Sequence, residues 1–255
     1  MSRMLNLQKG IIYGPVNSRR LGSSLGINLL PTGFKACSFN CAYCQYGYTL
    51  ASGYKSKWGG KDMPSVESVA TTLIRALDEY PAVSYITFSG NGEPTLHPQF
   101  KAIVEEVRKV KEKYAPQARL AILSNSALVG RADIREALGR LDVRFMKLDA
   151  GNDEMFRKFN RPHKDVTFDE IIDGLKMLGD FSIQALFAGG EQGNYTENHI
   201  KEWARQIKLL RPGECHIYSL DRPTPDGRLT KIDKEGLLHL VSIARQFTDI
   251  PIKIF

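Results

Sequence analysis

Hydrophobic and polar positions change period repeatedly along almost the whole chain. Short apolar runs at 25–30, 84–89, 120–123, 143–148, 183–187 and 215–220 read as buried strands. Between them, apolar residues recur at helical spacing over 98–113, 131–139, 154–159, 168–178, 197–210 and 234–247. A further helix starts at Ser65, which follows Pro64 as a candidate N-cap, with Val66, Val69, Leu73, Ile74 and Leu77 on one face. A final apolar run over 250–255 predicts a terminal strand.

Six strand-then-helix units imply a parallel sheet, because parallel neighbours need long crossover connections. Six are too few to close the eight-unit barrel. The expected fold is therefore α/β, a partial (β/α)6 TIM-like barrel with a parallel sheet, and a flat doubly wound sheet is its competitor. In both, the C-terminal ends of the strands carry the chemistry. No repeat or long linker divides the chain. One domain over 1–255 is expected, with an N-terminal extension at 1–24, a barrel core at 25–225 and a C-terminal helix and strand at 226–255. Residues 1–24 and 46–63 read as irregular.

Composition narrows the class. With 42% hydrophobic and 25% charged residues in 255, disorder is a poor description. No apolar run approaches the roughly 18 residues of a membrane span, and the first residues carry no export signal, so a cytoplasmic protein without membrane contact is expected. There are 35 Lys/Arg against 28 Asp/Glu, a net +7, and the excess is confined to one half. Residues 1–127 carry 15 cations against 8 carboxylates, and residues 128–255 carry 20 of each. A basic half favours an acidic partner, an anionic substrate or nucleic acid.

The four cysteines are unevenly placed. Cys37, Cys41 and Cys44 fall within eight residues with C-x3-C-x2-C spacing, and Cys215 stands alone. This is no disulfide framework. Three close thiolates can ligate three corners of a four-iron, four-sulfur (4Fe-4S) cluster and leave one iron open to substrate. Two readings compete with it, a structural zinc site, which lacks a nearby fourth ligand, and coincidental buried thiols. Cys215, in an apolar run, reads as a core thiol.

With Tyr43 directly before the last cysteine, this loop resembles the signature of the radical S-adenosylmethionine (radical SAM) enzymes. The resemblance implies that Cys37, Cys41 and Cys44 hold a 4Fe-4S cluster and that S-adenosylmethionine chelates the open iron. It also implies reductive cleavage to a 5′-deoxyadenosyl radical that takes hydrogen from a substrate. Ser89-Gly90-Asn91-Gly92-Glu93-Pro94 resembles the family's Gly-Gly-Glu-Pro motif, so Gly90, Gly92 and Glu93 are expected to hold the methionyl amine. Ser124 matches a cofactor-contacting strand end. Lys147 and Asp149 lie in a segment similar to a Ser-Leu-Asp motif, with lysine in place of serine, so Lys147 is expected to pair with the cofactor carboxylate. Gln184, polar in an apolar strand, is a candidate ribose contact. Tyr43 is expected to pack against adenine.

Residues 13–44, 87–98 and 220–223 further resemble a group of uncharacterised bacterial iron-sulfur oxidoreductases related to the catalytic domain of wyosine-forming tRNA enzymes. The upstream cysteines of a second cluster are missing, which counts against a pyruvate-condensing reaction. Arg19 and Arg20, adjacent in an extended strand, would point opposite ways, one into the cavity toward an anion. Asp221 and Arg222 lie where a substrate would pass. Tyr46, Tyr48, Tyr54 and Trp58, interleaved with Lys55, Lys57 and Lys61, suit a lid over the cluster or a nucleic-acid surface. A flavodoxin or ferredoxin-like reductant is the expected partner. The substrate stays open among a small anionic metabolite, an RNA base and a peptide, and the alternatives are a tRNA base-modifying enzyme and a non-catalytic iron-sulfur or zinc protein.

Overall fold

A computed structural model describes residues 4–49 and 62–255. Its one sheet has eight strands in chain order: β1 (Ile12–Ser18), β2 (Gly22–Ile27), β3 (Tyr85–Phe88), β4 (Arg119–Ser124), β5 (Val143–Lys147), β6 (Ser182–Leu186), β7 (Glu214–Tyr218) and β8 (Ile252–Ile254). All neighbours from β2 to β8 pair parallel, and only β1 runs antiparallel, against β2. The crossovers carry α1 (Val66–Glu79), α2 (Phe100–Tyr114), α3 (Ala132–Leu138), α4 (Asp153–Met155), α5 (Phe168–Lys176), α6 (Glu197–Leu210) and α7 (Lys234–Ala244). This is the expected partial barrel, not the flat competitor.

The N-terminal segment departs from expectation. Residues 1–24 were to be irregular, yet β1 and the start of β2 form a hairpin there, and the strand expected from 25 begins at Gly22. The sequence hides it because β1 carries Gly14 and Pro15 and shows no clean alternation. At its other end β2 stops before Asn28, whose side chain donates to the Leu30 carbonyl and accepts from the Asn91 amide. That polar knot takes over the backbone partners a longer strand would use.

Helix ends follow from local chemistry. Ser65, Thr167, Thr196 and Asp233 each cap the helix they precede with a side-chain oxygen, and Thr167 forms a full capping box with Glu170. The predicted helix at 154–159 is instead the single turn α4 followed by a π-helical turn, Phe156–Asn160.

The core sits between helices and the outer face of the sheet. Val69, Leu73 and Leu77 of α1 and Ile103, Val104 and Val107 of α2 are fully or almost fully buried there. Alternation sends Leu120 and Ile122 of β4 to this core and Ala121 and Leu123 to the inner face, where Leu21, Ala121 and Phe145 form a small apolar cluster. The same alternation puts Phe145 and Lys147, Gln184, and His216 and Tyr218 on the inner face of β5, β6 and β7. A lumen lined by such residues leaves room for a ligand at its C-terminal end.

Candidate active site

A cavity of about 600 Å³ opens at the C-terminal ends of the parallel strands. It is lined by all three clustered cysteines and by Tyr43, Gly90, Gly92, Glu93, Ser124, Lys147 and Gln184. One expected site residue, Asp149, does not line it.

The cysteine loop is strapped in place through its backbone. The Asn40 amide donates to the carbonyls of Asn160 and Arg161, the Ala42 amide to Phe159, and the His163 amide to Ser38. All these partners belong to the π-helical turn or the three residues after it. On the other side Ala36 forms a parallel bridge with Gly92: the Ala36 amide donates to the Asn91 carbonyl and the Glu93 amide to Ala36. Gly92 has φ +145°, and a Cβ there would lie 1.7 Å from the Ala36 carbonyl oxygen. Only glycine allows this approach. Asn91, inserted between the two glycines, is fully buried and donates to the carbonyls of Gln8 and Pro31, so it pins the N-terminal segment to the turn.

Three polar side chains face the sulfurs. Asn125 Nδ2 lies 3.5 Å from Cys37 Sγ and 2.9 Å from Ser38 Oγ. Asn160 Nδ2 lies 3.5 Å from Cys41 Sγ. Lys35 is buried and donates to the Gly47 carbonyl at 2.9 Å. Burial pulls its ammonium down, but the charges of Cys44, Cys37 and Cys41 outweigh that and hold it above the ordinary lysine value. Burial pushes the Cys37 thiol up to about 12 and raises Cys41 as well. A bare thiolate is therefore disfavoured, and metal must replace the proton, as metal-binding thiols require.

Soft sulfur ligands on one loop, with amide donors aimed at two of them, fit an iron-sulfur group. Among the described residues no three His, Cys, Asp or Glu side chains converge closely enough to grip a single metal ion. Cys215 is fully buried in β7, away from this loop, and burial raises its thiol strongly.

The remaining expected residues are tightly partnered. Glu93 takes Thr95 Oγ1 at 2.7 Å and Ser124 Oγ at 3.0 Å on one oxygen and the Asn125 amide at 2.5 Å on the other. Burial raises its carboxyl, against those hydrogen bonds. Gln184 accepts from Arg20 Nη1 at 3.0 Å and donates to the Phe145 carbonyl at 3.3 Å. Asp149 is a hub behind the wall. It accepts from the Tyr43 hydroxyl, from Asn160 Nδ2 at 2.6 Å and from the Leu186 amide at 2.8 Å, and it faces Lys147 Nζ at 3.7 Å. Lys147 lies over the Tyr43 ring at 5.2 Å and lines the cavity. Burial lowers its ammonium, but Asp149 and Tyr218 raise it further, so it stays charged.

Arg19 and Arg20 are not in a strand but in the turn between β1 and β2, and both line the cavity. Arg19 pairs with Asp221, while Arg20 stacks over the rings of Tyr218 and Phe145. Asp221, Arg222 and Tyr46 also line it, and the proposed lid residues Tyr54, Lys55, Lys57, Trp58 and Lys61 fall outside the described residues.

Residues 33–190 match the family described as the Radical SAM superfamily. The chain belongs to that superfamily. This radical SAM chain is 33% identical over 218 residues to a UPF0026 protein of Methanocaldococcus jannaschii, covering 84% of itself and 64% of that protein. It is 32% identical over 223 residues to a UPF0026 protein of Synechocystis, covering 84% and 77%. It is 35% identical over 231 residues to a protein named GTPase Obg of Brachyspira hyodysenteriae, covering 89% of itself and 32% of that protein. It therefore spans less than two thirds of the first and about a third of the last.

Among solved structures, a radical SAM methyltransferase from Sphaerobacter thermophilus superposes with TM-score 0.66 at 16% identity, over 91% of this chain and 66% of that one. TYW1 with a lysine-pyruvate adduct gives 0.59 at 14%, over 88% and 73%. Native anSMEcpe with bound AdoMet gives 0.61 at 17%, over 90% and 63%. At these identities the likeness concerns the fold, the partial barrel of radical SAM enzymes.

Proposed function

We propose that this protein holds a 4Fe-4S cluster on Cys37, Cys41 and Cys44, cleaves S-adenosylmethionine reductively and abstracts hydrogen from a small anionic substrate. One observation carries the reading: the three thiols, the Gly90–Glu93 turn and a surplus of cations border a single cavity. When bound, the cluster supplies the electron for cleavage of the sulfonium.

The chain's own residues have separable tasks. Gly90, Gly92 and Glu93 form the wall toward the cofactor amine, and Lys147 offers three donors and a charge to its carboxylate. Gln184, midway along β6, and Ser124, at the end of β4, line the cavity and would meet the cofactor sugar. Asp149 acts through Tyr43, Asn160 and Lys147, fixing where they stand. Arg19, Arg20, Lys35, Lys147 and Arg222 line the cavity against only Glu93 and Asp221. In a partly dry cavity that imbalance favours an anionic substrate.

Anaerobic reconstitution tests the reading. Four irons per chain and 5′-deoxyadenosine formed with dithionite are expected. Cys41→Ala should lose both, and Cys215→Ala should keep both. Bound zinc without cleavage would overturn it.

A further inference from the structure

Lys35 is only 5% exposed, more deeply buried than any other lysine or arginine among the described residues. It lines the main cavity beside Cys37, Cys41 and Cys44, and of the three thiols Cys44 acts on its ammonium most strongly. Its Nζ donates to the Gly47 carbonyl at 2.9 Å, and the Gly47 amide donates to the Cys44 carbonyl. The lysine is thereby held against the turn that follows the last cysteine.

Other cations of this cavity have carboxylates: Lys147 faces Asp149, and Arg19 pairs with Asp221. Lys35 makes no ion pair among the described residues, and residues 1–3 and 50–61, outside them, contain no Asp or Glu. Glu93, a buried carboxyl of the same wall, spends its oxygens on Thr95, Ser124 and Asn125. An ammonium taken out of water without a counter-charge is costly. That cost is offset once an anion is seated on the sulfurs. A 4Fe-4S cluster on three thiolates is such an anion, and reduction adds one more negative charge. A fixed positive charge beside it favours the reduced form, because charge and hydrogen bonding around the sulfurs set a cluster's potential.

We propose that Lys35 is the built-in counter-charge of the iron-sulfur group, which favours its reduced form and so raises its reduction potential. One electron passes to the cluster from an external one-electron reductant, no bond is broken, and the lysine keeps its proton throughout. Lys35 acts through the sulfurs and is a positioning residue. The inference deepens the function proposed above and rests on it, since it needs a cluster on these cysteines.

The test is an anaerobic redox titration of the reconstituted protein without S-adenosylmethionine, with titanium(III) citrate as reductant and the paramagnetic signal of the reduced cluster as readout. Lys35→Met keeps the length of the side chain and removes its charge, whereas Lys35→Arg keeps the charge. At the wild-type midpoint the ratio of reduced to oxidised cluster should fall at least about tenfold in Lys35→Met, which is about 59 mV for a one-electron couple. Lys35→Arg should stay closer to the wild type than to Lys35→Met, and Lys208→Met on α6 should leave the midpoint unchanged. Urea unfolding of the iron-free chains is the second measurement. Losing an uncompensated buried charge should leave iron-free Lys35→Met at or above the wild-type midpoint, whereas a lysine kept only for its bond to Gly47 would lower it.

An unchanged potential in Lys35→Met overturns the proposal. So does a potential as low in Lys35→Arg as in Lys35→Met, or a lower urea midpoint in iron-free Lys35→Met. Should Lys35→Met hold no iron, retention by Lys35→Arg supports the counter-charge and loss from both variants overturns it. If the wild type itself shows no reducible cluster, the function proposed above has failed, while the urea comparison still reads the buried charge.

Discussion

Replacing Asp149 with asparagine keeps the shape of the hub and removes its charge and one acceptor. Two amide donors and a hydroxyl now converge on its two oxygens. An amide has one accepting oxygen, so whichever way it turns, either Asn160 Nδ2 or the Leu186 amide faces an NH2 group. A buried donor left unpaired costs about 1–3 kcal/mol. Lys147, its side chain only 15% exposed, also loses the carboxylate 3.7 Å away. Stranding one partner of a buried pair costs about 3–5 kcal/mol, and the lower end applies because the Tyr218 hydroxyl remains within 3.4 Å. Together about 4–6 kcal/mol is expected, a large share of a typical domain's 5–15. Urea unfolding of the iron-free chain followed by far-UV circular dichroism measures it. Adding Lys147→Met removes the stranded charge and should restore about 2–3 kcal/mol. A loss below about 1 kcal/mol in the single variant, or a double variant no more stable than the single, would refute the assignment of Asp149 as a charge-paired hub.

Gly92→Ala should break the bridge to Ala36, because its Cβ would sit 1.7 Å from a carbonyl oxygen, and iron content after reconstitution should drop by more than half. Acid should destabilise the fold through His97, His199 and His216, each lowered from 6.5 chiefly by burial. Their folded pKa lies below the unfolded one, so their contribution is full above about pH 6.5 and is lost as pH falls below it; denaturant midpoints at pH 7.5 and 5.5 check this, and a higher midpoint at 5.5 contradicts it. If the substrate were RNA, tRNA affinity would fall by orders of magnitude between 50 and 200 mM salt; the small-anion reading expects no tRNA binding in a gel-shift assay.

The cysteine loop, the glycine turn and the strand order were legible because each leaves a local mark: fixed spacing, a Gly-rich stop after an apolar run, alternating periods. Gln184 was legible as a polar interruption of a strand, and Lys147 by the motif it shares with Asp149. Asn160 was not, since it meets Cys41 only after 119 residues of chain fold back. Asn125 lay next to an expected contact, but nothing in a single sequence says that an asparagine at a strand end turns toward a sulfur. Lys35 looked like any surface lysine and is buried. Asp149 was found by its motif, and its place behind the wall depends on who its neighbours are. The β1 hairpin failed for a different reason, as its pairing comes from β2 and not from its own pattern.

The grip of residues 159–163 on the backbone of Ser38, Asn40 and Ala42 makes a turn more than a hundred residues downstream the keeper of that loop's shape. Damage there would unsettle the seat of the sulfurs without touching any of them.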